Sequence, residues 1–220
     1  MPREVKFSVS TPRADRVHHV NEADVRIVLS RLPVELWRRL RAVHFNDQSR
    51  GGRVFGYVNR GRREIALCAL PPRMSLTRSL AKGWTPEQFG ATPGRKWPAL
   101  AIRRFLLYDV FLHELGHLQM VNGRAQRNRL RFAREKLAHD FATEWCSRLW
   151  SERFDHPDPV HNPPKPEELA YSPRLQTILE ESRRQIREGE VLTHYEFWAE
   201  IEAERAQDGR RNRKPSRANR

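Results

Sequence analysis

An α+β fold is what this sequence predicts: a small antiparallel or mixed sheet with a hairpin, packed on a buried helix, and a second long helix beside it. Three observations predict it. The runs RVFGYVN (53–59) and REIALCALP (63–71) are β-rich, and Asn59, Arg60 and Gly61 supply turn chemistry between them, the pattern of a hairpin. The segment ALAIRRFLLYDVFLHELGHLQMV (99–121) is apolar on nearly every side, so its helix must be surrounded by protein. Residues 128–153 repeat apolar side chains at helical spacing through Phe132, Leu137, Phe141, Trp145 and Leu149, which reads as a core-facing stripe.

In chain order, residues 1–20 are polar and basic without a clear period, and read as a basic tail that can add an edge strand. NEADVRIVLSRLP opens on acidic residues and carries an apolar stripe through Val25, Val28 and Leu29. Pro33 then starts VELWRRLRAV, with Leu36, Trp37, Leu40 and Val43 at helical spacing, so two short helices are expected. The second hairpin strand is apolar on both faces and is therefore expected at the centre of its sheet. Residues 71–97, rich in Pro, Gly, Arg and Trp, form a long loop, a feature more often functional than idle. Pro98 suits a first helical turn, and Asn122 with Gly123 suits its end. The proline-dense FDHPDPVHNPPKPEEL is irregular, a last helical region spans about 172–206, and residues 205–220 hold seven basic side chains to one acidic, a composition that predicts disorder. One domain over 21–206, flanked by a basic N-terminal tail (1–20) and a basic C-terminal tail (207–220), follows.

Lys plus Arg number 41 against 27 Asp plus Glu, a formal charge of +14, which attracts phosphate backbones or acidic proteins without selecting between them. Only Cys68 and Cys146 are present, each inside an apolar segment, so buried thiols in a reducing, cytoplasmic setting are expected rather than a disulfide framework. The first twenty residues lack an apolar leader core, and no run approaches the roughly 20 apolar residues that a membrane span needs.

FLHELGHLQM carries the chemistry. Positions i and i+4 stack on one helix face, so His113 and His117 aim two imidazoles at one point, which suits a zinc ion with nitrogen bonds of about 2.0–2.1 Å. Glu114, about 100° further round the helix, is placed to take a proton from a zinc-bound water without ligating. This composition yields the spacing by chance in roughly 3% of chains. A helix that is apolar on both sides of the motif also has reason to avoid burying three polar groups, each costing several kcal/mol unpaired. For the third ligand the next helix offers EKLAHDFATEW. Both Glu135 and His139 lie on one face, flanked by small Ala138 and Ala142 that permit close helix approach, with Asp140 and Glu144 as weaker alternatives.

These residues resemble the zincin metallopeptidases, in particular the gluzincin-like group of small ImmA/IrrE-type and M48-type domains. There, H-E-x-x-H is followed by a helix carrying E-x-x-A-x-x-F-A or E-x-x-A-D. Glu135, Ala138, Phe141 and Ala142 match, 18 residues beyond His117. The resemblance covers about 98–150 and implies a zincin-like fold, one Zn2+ held by His113, His117 and Glu135, and Glu114 as general base. The chain departs from the group at His139, where Asp or Asn is usual. An upstream cysteine serves as ligand in peptide deformylases, but the other signatures of that family are missing and Cys68 reads as a core thiol. His156, His161, His194 and Tyr195 could serve an oxyanion or a second metal, though nothing in sequence brings them to the zinc.

The activity expected is peptide-bond hydrolysis on a protein or peptide substrate, aligned by strand addition to one hairpin strand. The basic stretch 123–136, with six basic residues and one acidic, is expected at the cleft rim. The alternative is a basic nucleic-acid-binding protein with a structural zincin-like core, although no helix-turn-helix, RNP or paired-cysteine reader signature is present. Hydrolysis of a non-peptide amide by the same zinc is a third possibility.

Overall fold

The structure, a computed structural model, describes residues 4–50, 54–76, 80, 84–120 and 128–169, with 128–131 described by backbone alone. The last expected helical region, the C-terminal tail, His194 and Tyr195 therefore lie outside the described residues, as do residues 123–127 of the basic stretch 123–136.

Four strands form one mixed sheet: β1 (Lys6–Val9), β2 (Ala42–Asn46), β3 (Gly56–Asn59) and β4 (Glu64–Cys68), in the order β1-β2-β4-β3. β1 and β4 both run parallel to β2, with Phe7 opposite Val43 and Phe45 opposite Leu67. β3 closes the hairpin antiparallel to β4, pairing Tyr57 with Ala66, and forms the edge. The expected hairpin is present, with β4 at the centre and buried along nearly its whole length.

The edge strand that the first twenty residues were expected to be able to add is present as β1, with Val5 and Val20 buried and Val17 bridged to Leu70. One difference from expectation concerns the residues that follow. The helix expected through Val43 stops much earlier. Helix α1 (Glu22–Arg31) is followed by a single turn, α2 (Val34–Trp37), and the chain then becomes β2, where Val43 and Phe45 are buried. Pairing with β1 and β4 on both sides overrides a local apolar spacing that fits either structure.

The apolar segment forms one long helical run in three parts. They are α3 (Ala99–Phe105), a wide π-type stretch over Leu106–Phe111, and α4 (Leu112–Gln119), with Pro98 immediately before the first turn. The wide stretch and α4 lie against the hairpin strands. Helix α5 (Asn128–Ser151) packs along α4. Its buried face is Ala138, Ala142, Trp145, Cys146 and Leu149, whereas Phe132 is 75% and Leu137 57% exposed, so the expected stripe is corrected at those two positions. Small side chains are selected here because the helices touch: a Cβ on Gly116 would sit 3.2 Å from the Cα of Ala138.

The described part of the long loop 71–97 packs into the core. Its Phe89 packs between Trp84 (ring centroids 5.1 Å apart) and Trp97 (5.9 Å), and edge-on to Phe105 (5.5 Å). Gly90, at φ +83°, leaves room for the fully buried Arg104, whose guanidinium bonds to Glu168 and to the carbonyl of Pro159 at 2.8 Å. That contact binds the proline-rich segment to α3.

Buried Asp24 closes a second tie. It completes a capping box with Asn21 and accepts from Arg103 Nε at 3.0 Å, while Arg103 also pairs with Asp158 at 2.6 Å. Burial raises the Asp24 carboxyl, but bonds from His161, Arg103 and the Asn21 backbone outweigh it and hold the group at about 2. A folded value below the unfolded one means that the stabilisation is complete above the ordinary 3.8 and is lost as pH falls through about 2. Urea unfolding across this range is expected to show on the order of 2 kcal/mol lost from this group, and Asp24→Asn to lack that part of the slope. Equal acid sensitivity in parent and variant would remove Asp24 from the account.

Candidate metal centre

Helix α4 sets His113 and His117 on one face, their rings meeting edge-on with centroids 4.6 Å apart. Helix α5 brings Glu135 across from the opposite side: its Oε2 lies 3.4 Å from His113 Nε2 and 3.6 Å from His117 Nε2. One ligand atom from each of the three lies within 4.8 Å of the others. Neighbouring donors around a tetrahedral ion with bonds of about 2.0–2.1 Å stand roughly 3.3 Å apart, so both Glu135 distances match and the imidazoles need only a small turn. The histidine side chains are 13% and 6% exposed and Glu135 is 47% exposed, which leaves the carboxylate side open to solvent.

His139 sits one turn further along α5, its ring centroid 4.3 Å from that of His113 and tilted by 47°. It packs on a histidine and is not in the converging group. Asp140 is exposed and paired with Lys136, Glu144 points to solvent, and Cys68 is a buried free thiol that burial pushes up to about 11. His161 is engaged elsewhere, bonded through Nδ1 to the Tyr108 hydroxyl at 3.0 Å and facing Asp24 with Nε2. His156 bonds the backbone of Asp158. Neither is brought to the candidate centre.

The electrostatics follow from burial. His113 is pushed down to about 3 by burial, then by His117 and His139, so its ring is neutral, as a ligand must be. His117 moves down as well, burial being the largest cause. Glu114 is pushed up to about 8 by burial and by Glu135, against Arg60 and a backbone bond from Val58. That bond ties the carboxylate to edge strand β3. A cleft of about 510 Å³ opens along the same side, lined by Val54, Phe55 and Gly56 before and in β3, Asp109 and Val110 in the wide turn, and His113, Glu114, Glu135 and His139. A larger groove of about 920 Å³, holding Arg13, Arg50 and Tyr57, shares Val54 with it.

Two contributors escaped the sequence reading. Arg60 Nη2 donates to His117 Nδ1 at 2.9 Å, from a hairpin turn 57 residues away, and no local pattern announces such a contact. A guanidinium can only donate, so this contact leaves the ring proton on Nε2, and a metal there requires the proton to shift and Arg60 to release. Asp109 is the second, the one charged residue of Phe105–Leu112 and four residues before His113, a signal that was visible. Burial pushes it up to about 7. Its Oδ1, His113 Nδ1 and His139 Nδ1 are buried polar atoms without a hydrogen-bond partner among the described residues.

No protein-family model, curated protein or solved structure matches this chain.

Proposed function

We propose that this chain is a zinc-dependent metallopeptidase. What supports the reading is the convergence of Glu135, carried by one helix, on the two imidazoles of another, with a second, non-ligating carboxylate, Glu114, beside them in a cleft. Two histidines and one carboxylate are a donor set used by catalytic zinc, which takes three protein ligands and keeps a position for water. A bound zinc ion supplies a Lewis acid for the scissile carbonyl and a water with a pKa near 7.

The chain's own groups do the rest. His113, His117 and Glu135 hold the ion. Glu114, fixed by the Val58 N–H, accepts the water proton and hands it to the leaving amine. β3 is the sheet edge that borders the cleft, while β4 is enclosed between β2 and β3, so strand addition of an extended peptide falls to β3. Among the described residues no helix is long and apolar enough to cross a membrane.

Metal analysis of the purified protein tests this. The parent is expected to carry about one zinc per chain and to cleave a mixed peptide library. His113→Ala and Glu135→Ala are expected to lose the metal and His139→Ala to keep it. Retention in Glu135→Ala with loss in His139→Ala would transfer the third ligand to His139. A parent that binds no zinc sinks the proposal.

A further inference from the structure

Resting on that reading, we infer that Asp109 positions His113: when the ion is held, its carboxylate takes up the Nδ1–H of the metal-holding ring, a bond the two side chains do not make as they stand, and so presents Nε2 to the ion. A histidine that ligates through one nitrogen nearly always donates the other N–H to a carboxylate, carbonyl or water, which fixes both tautomer and ring angle. His113 Nδ1 is buried and has no such acceptor among the described residues. Asp109 has the complementary deficit, an Oδ1 that is buried and bonded to nothing described. Both residues line the one cleft. A carboxyl buried without a partner is costly, and an apolar residue would suit this run better unless the acid has a task.

The other acids of the cleft are committed. Glu114 receives the Val58 N–H, and Glu135 faces the Nε2 atoms of both histidines. The backbone contributes as well. Asp109 lies inside the wide turn Leu106–Phe111, which ends directly before α4, and wide turns of this type recur at functional sites. Here, Asp109, Val110, His113 and Glu114 come to share the cleft wall. On α5 the residue that faces His113 is His139, whose ring packs on that of His113 and brings no acid to it, so the acceptor comes from the same helical run.

The test uses the full chain with Asp109→Leu, Asp109→Ala and Asp109→Asn, read by zinc affinity in competition with a chelating dye, by thermal unfolding without metal, and by nitrogen-15 NMR of the zinc-loaded histidines. Asp109→Leu and Asp109→Ala are expected to bind zinc about 10–100-fold more weakly. Asp109→Leu is expected to unfold without metal at no lower temperature than the parent, because an unpaired buried acid has been removed. Asn still offers an acceptor oxygen and should restore most of the affinity. In the parent and the Asn variant the His113 Nδ1–H signal should be protected from exchange, and in the Leu variant that protection should be gone. Unchanged affinity and unchanged His113 signal in Asp109→Leu overturn the inference, as does a loss confined to the His139 Nδ1–H. A parent without zinc overturns it together with the metallopeptidase reading, whereas a zinc-binding parent with an indifferent Leu variant overturns this inference alone.

Discussion

Glu114→Gln is expected to lower peptide hydrolysis by about 10²–10⁴-fold while leaving zinc content and fold intact. The substitution keeps shape and volume at a residue that is 8% exposed, and its amide oxygen still accepts the Val58 N–H. It removes the one property the role requires, a basic oxygen that can take a proton from water and return it. The side chain lies outside the converging donor atoms, so metal affinity should hold within a few-fold. Stability should not fall either, since burial already disfavours the charged carboxylate that Gln replaces. Initial rates on the peptides that the parent cleaves, measured beside zinc content for each preparation, give the answer. Hydrolysis equal to the parent's would strip Glu114 of its role and leave a zinc site without a base.

What could be read in advance was whatever one element carries by itself. The spacing of His113, Glu114 and His117 belongs to a single helix, and so does the choice between Glu135 and His139. The hairpin and the central place of β4 follow from apolar residues on both strand faces. Properties that arise between elements were hidden. Ala42–Asn46 is a strand because β1 and β4 pair with it, yet Val43 continues the spacing of Leu36 and Leu40 and reads as helix. Phe132 and Leu137 look like core because they are large and apolar, whereas the face of α5 that is buried is chosen by how closely α4 approaches, which favours Ala138 and Ala142. Arg60 reaches His117 only through the placement of the hairpin beside α4. The loop 71–97 is a different case. Its length and its Pro and Gly suggested a working loop; the burial of Phe89 and Trp97, which local composition does not announce, shows that aromatic packing also draws part of it into the core.

The same helix contact yields the second large expected effect. Gly116→Val should cost about 1–3 kcal/mol of stability, because overpacking forces the two helices apart, with only a few tenths returned by better helix propensity. An added Cβ would lie 3.1 Å from Cδ1 of Phe141 and 3.2 Å from Cα of Ala138. A ring can turn, but a backbone carbon moves only with its helix, and valine adds two methyls beyond that Cβ. The consequence reaches the candidate centre because Glu135 is three residues before Ala138, on the face of α5 that is pushed away. A shift of about 1 Å at this seam withdraws the carboxylate from imidazoles that it now meets at 3.4 and 3.6 Å, so zinc affinity should fall with stability, measured by urea unfolding and zinc titration on one preparation. Gly116→Ala should lie between parent and valine. Leu137→Gln, on the exposed face of α5, is the control and should change neither quantity. If Gly116→Val lost stability but bound zinc as the parent does, Glu135 would not depend on the seam, and a ligand carried elsewhere would have to complete the site. If both fall together, one glycine between the two histidines sets the distance across which a pair of helices can share an ion.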